Sequence, residues 1–366
     1  MRIDVLAQLD HPVAEPFAGG RERHTYVLVQ ELRRLGHRVR LFAAAGSDPA
    51  LEPVCLGPAT GSPERGSRRT REAAAELQFR MQRRALHIIA DDPGDIIHNN
   101  TAHELPLMLA HRLPVPMLTT LHAPPAEPLH TAVLERQQRD LPFSTLSPSL
   151  MVSWRPALDH VPVIASGLPL DRFRACLRQP DAAPHAIWRG RIAPGQGLMM
   201  ALQACLIAGI PLMVAGPIED MDFWRNRVRP RLNNGSRHLG ILPPGSLPVA
   251  LAAAGVAICT DPAADPHGYS AIEALACGTP VAGFAQGTLP MLLDASSGRL
   301  AAPGGVAALS RCIQAALGLR RDDCRMRAEQ FCTATQMARG YLDAYGQAIA
   351  HHRLPPRDGT TLRTPA

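Results

Sequence analysis

The chain repeats one local pattern twice, and that repetition limits what it can fold into. Near the start comes the apolar run Ile3-Asp4-Val5-Leu6-Ala7, then a proline- and glycine-rich loop, an amphipathic segment from Glu22 to Leu35, Gly36 as a stop and the run Val39-Arg40-Leu41-Phe42. A short apolar run, a helix-period segment and a second short run form a βαβ unit, which implies parallel strands joined by crossover helices. Extended candidates at Asp95 to His98, Met117 to Leu121 and Pro162 to Ile164 continue the alternation. It starts again at Ala186 to Gly190, followed by a helix at Leu198 to Ala208, strands at Leu212 to Ala215 and Val256 to Ile258, and another helix after Gly268.

A chain of 366 residues suits two cores better than one. The polar, proline-bearing stretch from Arg174 to His185 is the natural joint. The expectation is therefore α/β with two doubly wound domains. The first spans 1–175, a linker spans 176–185, the second spans 186–324, a last helical segment spans 325–352, and a tail spans 353–366. Ligands of such sheets bind outside the carboxyl ends of the strands, where Gly190, Gly216 and the stretch Asp261 to Gly268 fall.

Composition narrows the function. With 46% apolar residues, no run long enough to span a bilayer and no signal-peptide profile after Met1, a soluble cytoplasmic protein is expected. The eight cysteines form no Cys-x-x-Cys pair, which favours buried thiols over zinc or disulfides. All 38 basic residues are arginine, a usage that points to a GC-rich bacterial genome, so a lysine missing from a motif carries little weight here. The net charge of +6 suits an anionic substrate or surface, while 4% aromatics and no recognition motif argue against nucleic acid. Arg65, Arg68, Arg69, Arg71, Arg80, Arg83 and Arg84 could contact anionic lipid at the inner face of a membrane. Interspersed Glu64, Glu72 and Glu76 favour an ordinary solvated helix.

The stretch from Asp265 to Pro280 carries the chemistry. It sets two carboxylates, Asp265 and Glu273, eight positions apart around a glycine that opens a helix. Gly268 lets the backbone approach a ligand, and the free N–H groups of Tyr269, Ser270 and Ala271 suit an anion. Glu273, one turn further in, can accept hydrogen bonds from ribose hydroxyls. Together these make a site for a sugar attached to a diphosphate.

This block resembles the donor-site motif of glycosyltransferase family 4, retaining enzymes of the GT-B architecture. Its usual form is Glu-Pro-Phe-Gly, four variable residues, Glu-Ala, then small residues ending Gly-Thr-Pro-Val. Asp265 stands where that motif has Glu, and His267 where it has Phe. The resemblance implies that Asp265 contacts the transferred sugar and Glu273 the ribose. Gly190-Arg191 through Gln196-Gly197 resembles the family's diphosphate grip, with Arg191 in place and Gln196 where a lysine is usual. Arg189, two positions from Arg191, could restore the lost charge by turning into the cleft, or could be a solvated edge residue.

Gly19-Gly20-Arg21-Glu22 resembles the family's glycine loop near donor phosphate and acceptor, and Leu35-Gly36-His37 its Arg-Gly-His. Thr119-Thr120-Leu121-His122 resembles the strand end whose histidine lies near the transferred sugar. Ser147, Asp171 and Phe173 also match family positions, whereas Ser166 replaces an Asn and Met291 stands where a Glu is common. His98, His103 and Glu104 lack a comparable match and are read as structural.

The resemblance implies metal-independent, retaining transfer of a hexose from a UDP- or GDP-linked sugar. It needs no cofactor beyond that co-substrate and goes to an acceptor that could be a small molecule, a glycan or a lipid-linked group. His122, Asp265 and Arg191 would act at the reacting centre. Gly19, Gly20, Arg191, Gln196, Gly268, Tyr269, Ser270 and Glu273 would hold the donor. The departing phosphate would help deprotonate the acceptor in a front-face substitution. The last helix would cross back to the first domain. The competing expectations are a non-catalytic GT-B binding protein, supported by Gln196, Asp265 and Met291, and a nucleotide-sugar epimerase.

Overall fold

The computed structural model describes residues 1–61, 67–137, 141–159, 161–173, 184–243, 245–260 and 266–352. Six strands form the first sheet: β1 (Arg2–Leu6), β2 (Arg38–Ala43), β3 (Val54–Cys55), β4 (Ile96–Asn99), β5 (Met117–Leu121) and β6 (Phe143–Thr145). A second sheet holds β7 (Ala186–Arg189), β8 (Leu212–Ala215), β9 (Arg237–Gly240), β10 (Val256–Cys259), β11 (Val281–Phe284) and β12 (Gly298–Ala301). The orders are β3-β2-β1-β4-β5-β6 and β12-β11-β10-β7-β8-β9, and every pairing is parallel. Val5 pairs with both Leu41 and His98, so β1 is central, and β7 holds the same place between β8 and β10. Inner strands such as β8 and β11 are buried along their whole length, as expected when helices cover both faces of a parallel sheet.

Strand order reverses between β1 and β4 in the first sheet and between β7 and β10 in the second. At such a reversal the loops leaving neighbouring strands diverge to opposite faces and open a crevice. The loops after β1, β4, β7 and β10 carry the glycine pair, Asn100, Arg191 and the Gly268 turn respectively, so the topology itself gathers them.

The chain end ties the two halves together. The helix Ala334–His352 packs on the helix Gly20–Arg34 of the first domain. Its fully buried Tyr341 and Tyr345 reach hydrogen-bonding distance of His24 (3.0 Å) and His98 (2.6 Å).

Several expectations change. The single last helix is two, Arg321–Phe331 and Ala334–His352, broken where Leu168 inserts its backbone. The Leu168 N–H donates to the Cys332 carbonyl and its own carbonyl accepts from Ala334 N–H, each at 2.9 Å. Thr333 and Gln336 then restart the helix as a reciprocal capping box, both backbone-to-side-chain bonds at 3.1 Å. Pro162 to Ile164 supplies one bridge at Val163 instead of a strand. The first helix begins at Gly20, two residues before the expected Glu22. Strands β3, β6, β9, β11 and β12 are too short, or too rich in small residues, for alternation to reveal them.

The expected linker falls largely on residues 174–183, which with the tail from 353 lie outside the described residues. The arginine-rich helix Arg68–Asp91 carries the surface pairs Arg68–Glu72 (2.7 Å) and Arg80–Glu76 (3.8 Å), and Arg65 lies outside the described residues. No described helix is long and apolar enough to cross a membrane.

Candidate active site

A cleft of about 860 Å³ opens between the carboxyl ends of the two sheets. Glu273, on the first turns of the helix Tyr269–Ala276, forms part of its wall and is only 1% exposed. Its carboxylate meets two guanidiniums: Arg23 Nη1 at 2.5 Å on one oxygen and Arg189 Nη2 at 2.7 Å on the other. Arg23 comes from the first helix of the chain and Arg189 from the end of β7, so three distant segments converge on one buried acid. Two cations on one anion leave a surplus positive charge. Arg189 has therefore turned into the cleft, one of the two alternatives left open by the sequence.

Gly268 precedes that helix at φ 73°, a conformation that strains other residues. A Cβ there would lie 2.6 Å from Leu292 Cδ1 and 2.7 Å from Thr288 Oγ1, so space as well as torsion requires glycine. Gly268, Tyr269, Ser270 and Ala271, the start of this helix, all line the cleft. The Tyr269 ring stacks on His267 (5.5 Å between centroids, 4° between planes), and the Arg23 guanidinium lies 4.6 Å over the same ring. That layer fixes Arg23 from a second direction.

His267 also governs the glycine loop. A Cβ on Gly20 would overlap its ring, so Gly20 is needed for steric room. Gly19, the residue before the helix, is extended at φ −160° and lines the cleft beside it. Arg191 lines the cleft with its side chain 53% exposed and 3.5 Å from Glu219. Gln196 lies there with its side-chain oxygen buried and, among the described residues, without a hydrogen-bond partner. Asp265 lies outside the described residues.

His122 sits where β5 ends, 5% exposed, at the cleft wall. Its Nε2 is 2.9 Å from Asn100 Oδ1 and its Nδ1 3.2 Å from His267 Nε2. Behind it a polar network runs through the core: Ser166 to His24 (3.2 Å), His24 to Tyr341 (3.0 Å), Tyr341 to Thr120 (3.2 Å) and Thr120 to His98 (2.8 Å). His98 is structural, as expected from its lack of a motif. Ser147 caps the helix Pro148–Trp154 by accepting from Leu150 N–H. Met291 packs against the hydrophobic core. The sequence did not single out Arg23, His24, Asn100, Tyr341 or Tyr345. Their partners lie far along the chain, up to 317 residues away for His24 and Tyr341.

Burial holds four imidazoles neutral. Desolvation drives His24, His98 and His122 well below the usual histidine range and pushes His267 down to about 3, with Arg21 adding to the effect at His122 and Arg21 and Arg23 at His267. Unfolded, these groups take protons near pH 6.5, so the unfolded state binds more protons below that pH. The stability they allow is complete above about pH 6.5 and is lost as the pH falls towards their folded values. Each histidine adds about 1.4 kcal/mol per pH unit to the slope in that window. Melting temperatures measured from pH 7.5 to 4.5 should fall steeply from pH 6.5 downward, before ordinary carboxylates protonate. A flat profile to pH 5 would contradict neutral burial.

A parallel two-sheet structure with an interdomain cleft at both strand-order reversals is the GT-B fold. The likeness to solved structures extends along the chain. Sucrose-phosphate synthase from Thermosynechococcus elongatus superposes with a TM-score of 0.76 at 20% identity, covering 96% of this chain and 99% of that one. Anabaena HepE, solved in complex with UDP-glucose, gives 0.68 at 17% identity over 95% and 100%. Residues 18–155 match the model of Glycosyltransferase Family 4. A 2-deoxystreptamine N-acetyl-D-glucosaminyltransferase of Streptomyces fradiae is 30% identical over 196 residues, 50% of this chain and 45% of that protein, so the match spans about half of each. The chain therefore has the GT-B fold, and its residues 18–155 are similar to Glycosyltransferase Family 4.

Proposed function

We propose that the protein is a retaining glycosyltransferase that moves a hexose from a UDP- or GDP-linked sugar to an acceptor held by the first domain. The observation that carries this reading is the buried Glu273 beside the Gly268 turn, with Arg189 and Arg191 close along the cleft wall. Each carboxylate oxygen has two lone-pair directions, so Glu273 can keep its arginines and still accept from ribose hydroxyls. The diphosphate then falls towards the amides of Gly268 to Ala271 and Arg191, where a helix start and a guanidinium favour negative charge. That charge grows as the sugar–phosphate bond breaks, so these groups bind the transition state more tightly than the bound donor.

The surplus cation of the Arg23–Glu273–Arg189 group offsets the lysine replaced by Gln196. That observation favours catalysis over a degenerate binding protein. His122, held by Asn100 and His267, positions the transferred sugar, and Asp265 contacts its hydroxyls. The UDP-glucose complex of HepE and the N-acetylglucosaminyl transfer named for the S. fradiae relative support a UDP-hexose as donor. The setting would be the bacterial cytoplasm, with any membrane contact peripheral and through the helix Arg68–Asp91.

Calorimetric titration with UDP-glucose, UDP-N-acetylglucosamine and GDP-mannose tests the reading. One of them should bind and be hydrolysed slowly with release of free nucleotide. Binding of none would refute it.

A further inference from the structure

Resting on that reading, we propose that the acceptor carries an anionic group, a phosphate or a carboxylate, which Arg21 recognises beside the cleft. Among the described residues four other arginines line the cleft, and each has a carboxylate partner. Arg23 and Arg189 share Glu273, Arg172 meets Glu15 at 2.8 Å, and Arg191 meets Glu219. Arg21 differs: among the described residues no carboxylate comes within ion-pairing distance of it, and its Nε is buried without a hydrogen-bond partner. The nearest acids act on it only at longer range. Glu22 and Asp10 raise its pKa, and burial outweighs them and lowers it. Asp10 itself is engaged by Gln8 (2.6 Å), Thr60 (3.3 Å) and Gln78.

A second cavity of about 90 Å³ adjoins the cleft and shares Arg21, His122 and Ala123 with it. Its other walls include Thr101, Thr120 and Leu129, and Glu127 stands at the rim with its side chain 62% exposed. Thr101 and Thr120 already hydrogen-bond within the protein, which leaves Arg21 as the donor with capacity to spare. The volume is roughly the liquid share of three waters, enough for one small charged group. Arg21 is the second residue of the helix Gly20–Arg34, whose positive end adds to its attraction for an anion. An acceptor seated with its charge here would reach past His122 into the cleft, where the transferred sugar is expected.

An unpaired, half-buried guanidinium is costly unless a ligand completes it, which separates a binding role from a structural one. Arg21→Leu should therefore raise the melting temperature while removing anion recognition, and Arg21→Lys should keep part of it. The first arm titrates inorganic phosphate into protein saturated with whichever nucleotide binds. Phosphate should bind wild type and lose about 10-fold or more in affinity in Arg21→Leu. The second arm offers hexose phosphates, hexuronic acids, their neutral parents and amino sugars as acceptors with the donor that is hydrolysed.

Wild type should favour one of the two anionic classes over its neutral parent by about 10- to 100-fold in kcat/KM, and Arg21→Leu should erase that preference. The better class distinguishes phosphate from carboxylate. Donor turnover with phosphate binding indifferent to Arg21, equal use of neutral or amine-bearing acceptors, or a lowered melting temperature in Arg21→Leu would overturn the inference alone. Failure of every nucleotide to bind would overturn the transferase reading and the acceptor inference with it.

Discussion

Replacing Glu273 by Gln should abolish measurable donor binding, a loss of at least about 100-fold, and lower the melting temperature by about 5–10 °C. The side chain keeps its shape but loses its charge, so Arg23 and Arg189 are left beside one another without their shared carboxylate. Removing one partner of a buried ion pair typically costs about 3–5 kcal/mol, because the remaining charge stays desolvated. Here two cations are stranded, with side chains only 16% and 32% exposed. The two effects have separable causes. Adding Arg189→Gln to Glu273→Gln should recover much of the stability, since it removes one stranded charge, yet it should not restore the ribose contact. An unchanged melting temperature in the single variant would show that the cluster is not the anchor described here.

Arg191→Ala should lower turnover about 100- to 1,000-fold while changing nucleotide affinity far less. Its guanidinium is half exposed and only loosely associated with Glu219 at 3.5 Å, so it is free to swing onto the diphosphate as charge develops there. Loss of an interaction strongest in the transition state falls on kcat, whereas loss of a uniform contact falls on KM. Single-turnover release of nucleotide under saturating donor measures the first directly. Equal losses in affinity and turnover would make Arg191 an ordinary binding residue and shift the burden to Arg189.

The sequence reveals these two residues but not the partners that hold one of them. Arg191 and Glu273 stand out because a glycine turn at a fixed spacing accompanies each, and backbone geometry demands the glycine there. The partners of Glu273 do not stand out. Arg23 is one arginine among many in an amphipathic helix, and only the closing of two sheets 250 positions apart in sequence brings it to the acid. The same holds for His24 and Tyr341, whose hydrogen bond depends on the last helix returning to the first domain.

The fold itself was largely legible from the alternation of apolar runs and helical segments, and both strand-order reversals fall at motif-bearing loops. What escaped was short or small-residue structure, such as β11 and β12, and the helix break at Thr333. That break is set by Leu168 from across the fold more than by any local breaker. His267 illustrates a further limit. In the sequence it is a departure from a family motif. In the structure it presses on Gly20, bonds to His122 and stacks on Tyr269, so the substitution has consequences in both domains.

The most direct test of the account is a crystal structure of the protein with its bound nucleotide diphosphate. The ribose hydroxyls should lie within hydrogen-bonding distance of Glu273, and the diphosphate should lie on the amides of Gly268 to Ala271 with Arg191 turned from Glu219 towards it. A nucleotide seated elsewhere in the cleft, with Glu273 still engaged only by Arg23 and Arg189, would contradict it.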